Sequence, residues 1–235
     1  MGPWDIMSQH FVKQGEPPPG ISSFTKIRLG WIRRDQVRIV QPGETTHVVL
    51  APLSQGGELL TVKIPLDDGT HYLIENRQKT GFDKVLPDSG ILILRVNPEA
   101  TEGYGTVTVK SAGGERNFTQ ATYKLESANR DIFIDREHNL AVIPLWYQGT
   151  GLGVLITSSD RAESARKAAH ALLPLAEAPT AKAGSEEEAR RSAAFAAFIA
   201  GNYALSYTLA QQGATNLGNS PAMPVKQPLG TGQGP

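Results

Sequence analysis

The chain has 235 residues, long enough for one or two domains with a real core. Its 23 lysines and arginines balance 23 aspartates and glutamates, so no basic surplus points to nucleic acid and no acidic block to a solvating tail. With no cysteine, disulfides, thiolate metal sites and cysteine nucleophiles are excluded.

Residues 1–20 read as loop, with a Pro17-Pro18-Pro19 cluster. The opening Met1-Gly2-Pro3-Trp4-Asp5 lacks the basic region and apolar run of a signal peptide, so either the chain is intracellular or its true N-terminus lies upstream. Ser22 and Ser23 before Phe24, Ile27 and Leu29 predict a short helix over residues 23–29, stopped near Gly30.

From residue 36 to 157 the pattern is that of strands. Val37 and Ile39 stand on one side of a Pro42-Gly43 turn, and Val48-Val49-Leu50 on the other. Asp67-Asp68-Gly69 between the runs 59–64 and 72–74 is a strong hairpin signal. The almost continuously apolar 91–96 predicts a central strand covered on both faces. Val107 and Val109 alternate with Thr108 and Lys110 as in a half-exposed strand. Runs 132–134, 140–146 and 153–157 complete the set. Short strands with this punctuation read as a β-sandwich.

After Thr157 the period becomes helical. Asp160 with Glu163 is expected to cap a first helix carrying Ala162, Ala165, Ala169 and Leu172, ended by Pro174 and Pro179. Ser185 with Glu188 forms a capping box for a second helix, expected to run to about Gln212 and end at Gly213. The Gly-, Pro-, Asn- and Gln-rich stretch 214–235 is expected to be disordered. Residues 193–210 carry no charge, but alanine, Asn202, Ser206 and Thr208 dilute the run, and a helix packed through small residues is preferred to a membrane span.

No catalytic motif stands out. HExxH is absent, and no two of His10, His47, His71, His138 and His170 have the spacing of a helical zinc pair. There is no GxSxG, P-loop or GxGxxG in its required context. His47 and His71 read as surface histidines, and Asp67 and Asp68 as turn residues.

One ordered series of residues is more specific. Trp4-Asp5-Ile6-Met7-Ser8 is followed by Pro19-Gly20-Ile21-Ser22 and Lys26-Ile27-Arg28-Leu29-Gly30-Trp31. Then come Tyr72-Leu73-Ile74-Glu75-Asn76-Arg77-Gln78, Gly81-Phe82-Asp83, Leu86-Pro87 and Gly90-Ile91-Leu92-Ile93. The series resembles the C-terminal part of the immune-inhibitor-A-like secreted bacterial zinc metalloproteases, over about residues 2–97 and more loosely to 157.

Pattern and resemblance together lead to a mainly β fold with C-terminal α: by the resemblance, residues 1–34 as the tail of a catalytic domain and 35–157 as an accessory β-sandwich; by the pattern alone, 158–213 as a helical appendage of two helices and 214–235 as a disordered tail. The resemblance implies that Met7 sits in a tight turn beneath zinc-binding histidines, supporting them without binding the metal. In the whole enzyme a zinc-bound water would attack a peptide carbonyl with the HExxH glutamate as general base. This chain contains neither that glutamate nor the zinc ligands, so no catalytic or metal-ligating residue and no cofactor of its own is expected.

Met1, directly before the methionine turn, suggests a truncated or split reading frame. Glu75, Asn76 and Arg77 are expected to form a structural ion pair rather than to do chemistry. Arg95 stands where the family often has a histidine, so no function is carried to that strand. The implied compartment is extracellular or the cell surface, and the implied partner a peptide substrate held by the catalytic domain.

Two other readings follow from the same residues. A non-catalytic β-sandwich module would hold protein or polysaccharide. A degenerate relative would leave Trp4, Ile6, Met7 and Phe11 exposed or mobile.

Overall fold

The computed structural model describes residues 1–8, 15–101, 103–115, 117–179 and 184–218. Among them nine strands form two sheets. The first contains Val37–Ile39 (β1), Thr61–Pro65 (β3), His71–Arg77 (β4), Gly90–Val96 (β5) and Val107–Val109 (β6), in the order β1-β3-β4-β5-β6. The second contains Thr46–Leu50 (β2), Phe133–Asp135 (β7), Leu140–Gln148 (β8) and Gly151–Thr157 (β9), in the order β2-β9-β8-β7. All pairings are antiparallel except β1 with β3, which is parallel.

The two-residue period of the strands decides which layer each side chain enters. Val62, Ile64, Tyr72, Ile74, Ile91 and Ile93 of the first sheet meet Leu50, Leu140, Val142, Val154 and Ile156 of the second in one buried cluster. This is the core of a β-sandwich. The alternate residues Leu73, Leu92, Leu94 and Val96 face outward, where Trp4, Leu86 and Ala121 cover them. The apolar run of β5 is thus buried on both faces, as its sequence predicts.

The outer face of the second sheet carries the helices. Ile143, Leu145 and Leu155 pack with Ala165, Ala168, Ala169 and Leu172 of Ala162–Glu177 (α2), with Ala194 and Phe198 of Glu186–Ile199 (α3), and with Tyr203 and Ala210 of Tyr203–Gly218 (α4). Trp146 packs edge-on against Phe195, with ring centroids 5.1 Å apart. Small alanines let the helices lie close to the sheet, and the aromatic rings fill the remaining space.

Several expectations are met at residue level. Ser22 caps the helix Ser23–Arg28 (α1), and Gly30 follows in the left-handed region at φ +71°. Asp67-Asp68-Gly69 makes the β3–β4 turn, closed by Leu66 N–H to the Thr70 carbonyl at 2.9 Å. The Ser185 hydroxyl caps α3 by accepting from the Glu188 N–H.

β1 and β2 flank the Pro42-Gly43 turn as expected, and the turn sends β2 into the other sheet. Other expectations are corrected. α2 takes no side-chain cap from Asp160 and begins after Arg161. It does not stop at Pro174, which lies exposed on its solvent side, and it continues to Glu177 because Leu172 and Leu175 anchor the last turn in the core. The single second helix is two: Ala200-Gly201-Asn202 interrupt it, with Gly201 at φ +75°. α4 runs past Gly213 to Gly218, so 214–218 are helical rather than disordered, and 219–235 lie outside the described residues. No helix among the described residues is long and apolar enough to cross a membrane.

Candidate functional site

Trp4, Asp5, Gly20, Ser22, Glu75, Arg77 and Asp83, distant in sequence, meet in one buried cluster. β4 leaves the inter-sheet core with Glu75, Asn76 and Arg77, all fully buried. Arg77 uses all five of its N–H groups. Nε and Nη2 donate to the two oxygens of Asp83 at 2.8 Å each, and Nη1 donates to Glu75 Oε1 at 2.9 Å and to the Trp4 carbonyl at 2.8 Å. Nη2 also donates to the Gly20 carbonyl at 3.3 Å. Burial alone would push this guanidinium's pKa down; the Glu75 and Asp83 carboxylates outweigh that and hold it above its ordinary value.

The carboxylates reach back to the N-terminal segment. Glu75 Oε2 accepts from the Ser23 N–H at 2.7 Å, and Asp83 Oδ1 from the Gly20 N–H at 3.2 Å. Gly20 is close because it is glycine: a Cβ there would come within 2.5 Å of Asp83 Oδ1. Asp5, itself buried, accepts from the Ser22 N–H at 2.9 Å and the Ser22 hydroxyl at 2.5 Å, and from the Thr25 hydroxyl at 3.0 Å. Trp4 is fully buried, donates from Nε1 to the Phe118 carbonyl at 2.7 Å, and lies under the Arg77 guanidinium at 5.9 Å.

The expected ion pair of Glu75 and Arg77 is therefore present, and it is wider than the sequence indicated. Asp5, Ser22 and Asp83 belong to it, and no short-range pattern joins them to β4. The charged groups of the cluster are bonded internally and buried from water, and the Ser23 hydroxyl beside them is buried without a partner among the described residues. The cluster fixes the N-terminal segment onto the sheet.

Met7 stands beside this anchor. Residues 5–8 form a turn closed by Ser8 N–H to the Asp5 carbonyl at 2.9 Å, and Asp5 Oδ1 accepts from the Met7 N–H at 2.9 Å. The thioether is 74% exposed, and neighbouring Ile6 and Phe82 are exposed as well. Met7 is thus not an ordinary core methionine. The degenerate-relative reading expects Trp4, Ile6, Met7 and Phe11 to be exposed or mobile; Trp4 is buried, Ile6 and Met7 are exposed, and Phe11 lies outside the described residues.

The described histidines are dispersed. His47 lies in β2 opposite Leu155, and His71 in β4 opposite Pro65 and Val96, so the two occupy different sheets. His170 bonds Asp131 at 2.6 Å and, with Arg166, ties α2 to the loop before β7. Burial alone would raise the Asp131 pKa; the bonds from His170 and Arg166 outweigh it and hold it below its usual value. Asp135, Glu137 and His138 offer possible ligand atoms within 4.8 Å of one another. Two of the three are already bonded internally: His138 Nδ1 lies 2.8 Å from Asp135, which also accepts from the Tyr72 hydroxyl at 2.7 Å. These residues do not fit the histidine-rich donor set of a catalytic zinc.

One open groove of about 810 Å³ lies on the outer face of the first sheet, beyond α1. Phe24 and Ile27 of α1, Ile39, Leu73, Val96 and Pro98 form apolar walls, and Arg34, Lys63 and His71 also line it. Burial, with Lys63 nearby, drives the His71 pKa down to about 4. Sequence reading passed over this groove because its residues come from five separate stretches.

Comparison with protein-family models, with curated proteins and with solved structures finds no match.

Proposed function

We propose that this chain is the non-catalytic C-terminal portion of a secreted zinc metalloendopeptidase of the immune-inhibitor-A type, inactive by itself. The observation that carries the reading is the Arg77 cluster. Trp4, Asp5, Gly20 and Ser22 from the first motif pieces are bonded, directly or through one residue, to Glu75, Arg77 and Asp83 from the later ones. Residues that look like scattered matches act as one unit, which holds an exposed methionine turn at the edge of a sandwich. A zinc-binding helix from a preceding segment would cover Met7 and Ile6. The chain's own part is to hold that turn rigid; its described histidines do not supply the zinc ligands.

The test has two parts. DNA upstream of the Met1 codon is expected to contain an in-frame HExxH; an in-frame stop codon with a ribosome-binding site directly before Met1 overturns the reading. The purified chain is expected to leave unfolded casein intact, and chelator-sensitive cleavage by it would show that the inactive assignment is wrong. A second reading, a binding module without chemistry, is favoured by the open groove beyond α1.

A further inference from the structure

We propose that the groove beyond α1 is a binding site for a single-chain amphiphile with an anionic head, of the fatty-acid carboxylate type. On the outer side of the first sheet, apolar surface is left open at the β1 edge, where Ile39 is exposed. The Trp4 segment and α1 lie over the half of β4 that carries Glu75 and Arg77. The other half, with Leu73 and His71, opens into the groove. α1 has only six residues, too short to roof it. Ile39 is 59% exposed there, and Ile27 is exposed beside it.

The polar lining is of one sign. Arg34 and Lys63 make no ion pair among the described residues, and no described carboxylate lines the groove. Lys63 lies in register between Ile39 and Leu73, so its ammonium rises from an apolar floor. A pocket of this size with apolar walls and a few convergent polar groups is the ordinary form of a small-molecule site. An alkyl chain would lie against the exposed Ile39 and Ile27, above the buried Leu73 and Val96, while its carboxylate meets Arg34 and Lys63. A neutral chain would leave the two cations unpaired, and a short anion would leave the walls wet. The inference does not depend on the protease reading.

The test is calorimetric titration of the full chain at pH 7.5 and low salt with sodium decanoate below its micelle concentration, against decanol and acetate. Saturable one-to-one binding of decanoate is expected, with decanol weaker and acetate silent. Arg34→Gln with Lys63→Gln is expected to weaken decanoate about tenfold. Should that variant fail to match the wild-type urea midpoint, Ile39→Glu, at an exposed rim position, is expected to weaken it similarly. Absence of saturable binding, equal affinity for decanol, or decanoate affinity unchanged in the charge variant overturns the proposal. So does an acidic apolar peptide that occupies the same residues and is not displaced by decanoate.

Discussion

Arg77 and Asp83 form a bidentate pair, Nε to Oδ2 and Nη2 to Oδ1, each at 2.8 Å, with neither side chain more than 2% exposed. The fork of the guanidinium matches the carboxylate plane, and the desolvation cost is met only because every remaining N–H has an acceptor. Removing either partner leaves a buried charge without compensation. Arg77→Ala or Asp83→Ala should cost about 3–5 kcal/mol in urea unfolding. Limited proteolysis should then cut the N-terminal segment before the sandwich.

Trp4 and Met7 are three residues apart and should respond oppositely. Trp4→Ala empties a fully buried site between Arg77 and Leu73 and should cost about 3–5 kcal/mol. Met7→Ala, on a side chain 74% exposed, should shift stability by less than about 0.5 kcal/mol. A large loss from Met7→Ala in this chain would mean that the turn is packed.

Gly90 and Gly103 both have positive φ, +137° and +85°. At Gly103 nothing lies within 4 Å of an added Cβ, so alanine there should cost only the backbone strain, about 1–2 kcal/mol. At Gly90 the Cβ would meet the Tyr123 carbonyl oxygen at 2.7 Å, beside the Ile91–Tyr123 bridge. Gly90→Ala should be clearly the more damaging of the two in thermal unfolding.

Stability should fall in two acid windows. The folded chain holds His71 at about 4 against an ordinary 6.5, through burial and then Lys63. Between those values the unfolded chain takes up a proton that the folded chain refuses, so stability drops as pH is lowered from 6.5 to 4. Burial moves His47 in the same direction. Asp68 is held down to about 2 from 3.8 by the Thr70 hydroxyl and N–H, so its contribution is present above 3.8 and lost as pH falls toward 2. Urea midpoints measured from pH 7.5 to 2 should show both windows, and His71→Gln should flatten the upper one while leaving the lower.

Local signals were the legible ones. α1 was readable because its cap Ser22 and its stop Gly30 lie within a few residues of its ends, and the β3–β4 hairpin because Asp-Gly fixes the turn chemistry. Gly201 was not read as a break because an isolated glycine in a helical pattern is usually tolerated; here its φ of +75° turns the chain so that Phe198 and Tyr203 meet at 5.4 Å. Pro174 misled because a proline on the solvent side of a helix costs less than the burial of Leu172 and Leu175 returns. The ion pair of Glu75 and Arg77 was visible as neighbours in sequence. Its other half was not, because the carbonyls of Gly20 and Trp4 lie 57 and 73 residues from Arg77.

The pairing of Thr46 with Ile156 sets an order on synthesis. As the chain leaves the ribosome, the first sheet has all its strands once Val109 has emerged, whereas β2 must wait for β9. Through that interval Val48-Val49-Leu50 is an apolar strand without its neighbour, and non-local pairing of this kind is slow to form. Nascent chains crowded together would associate first through this strand, before α2 has been made to cover the sheet it joins.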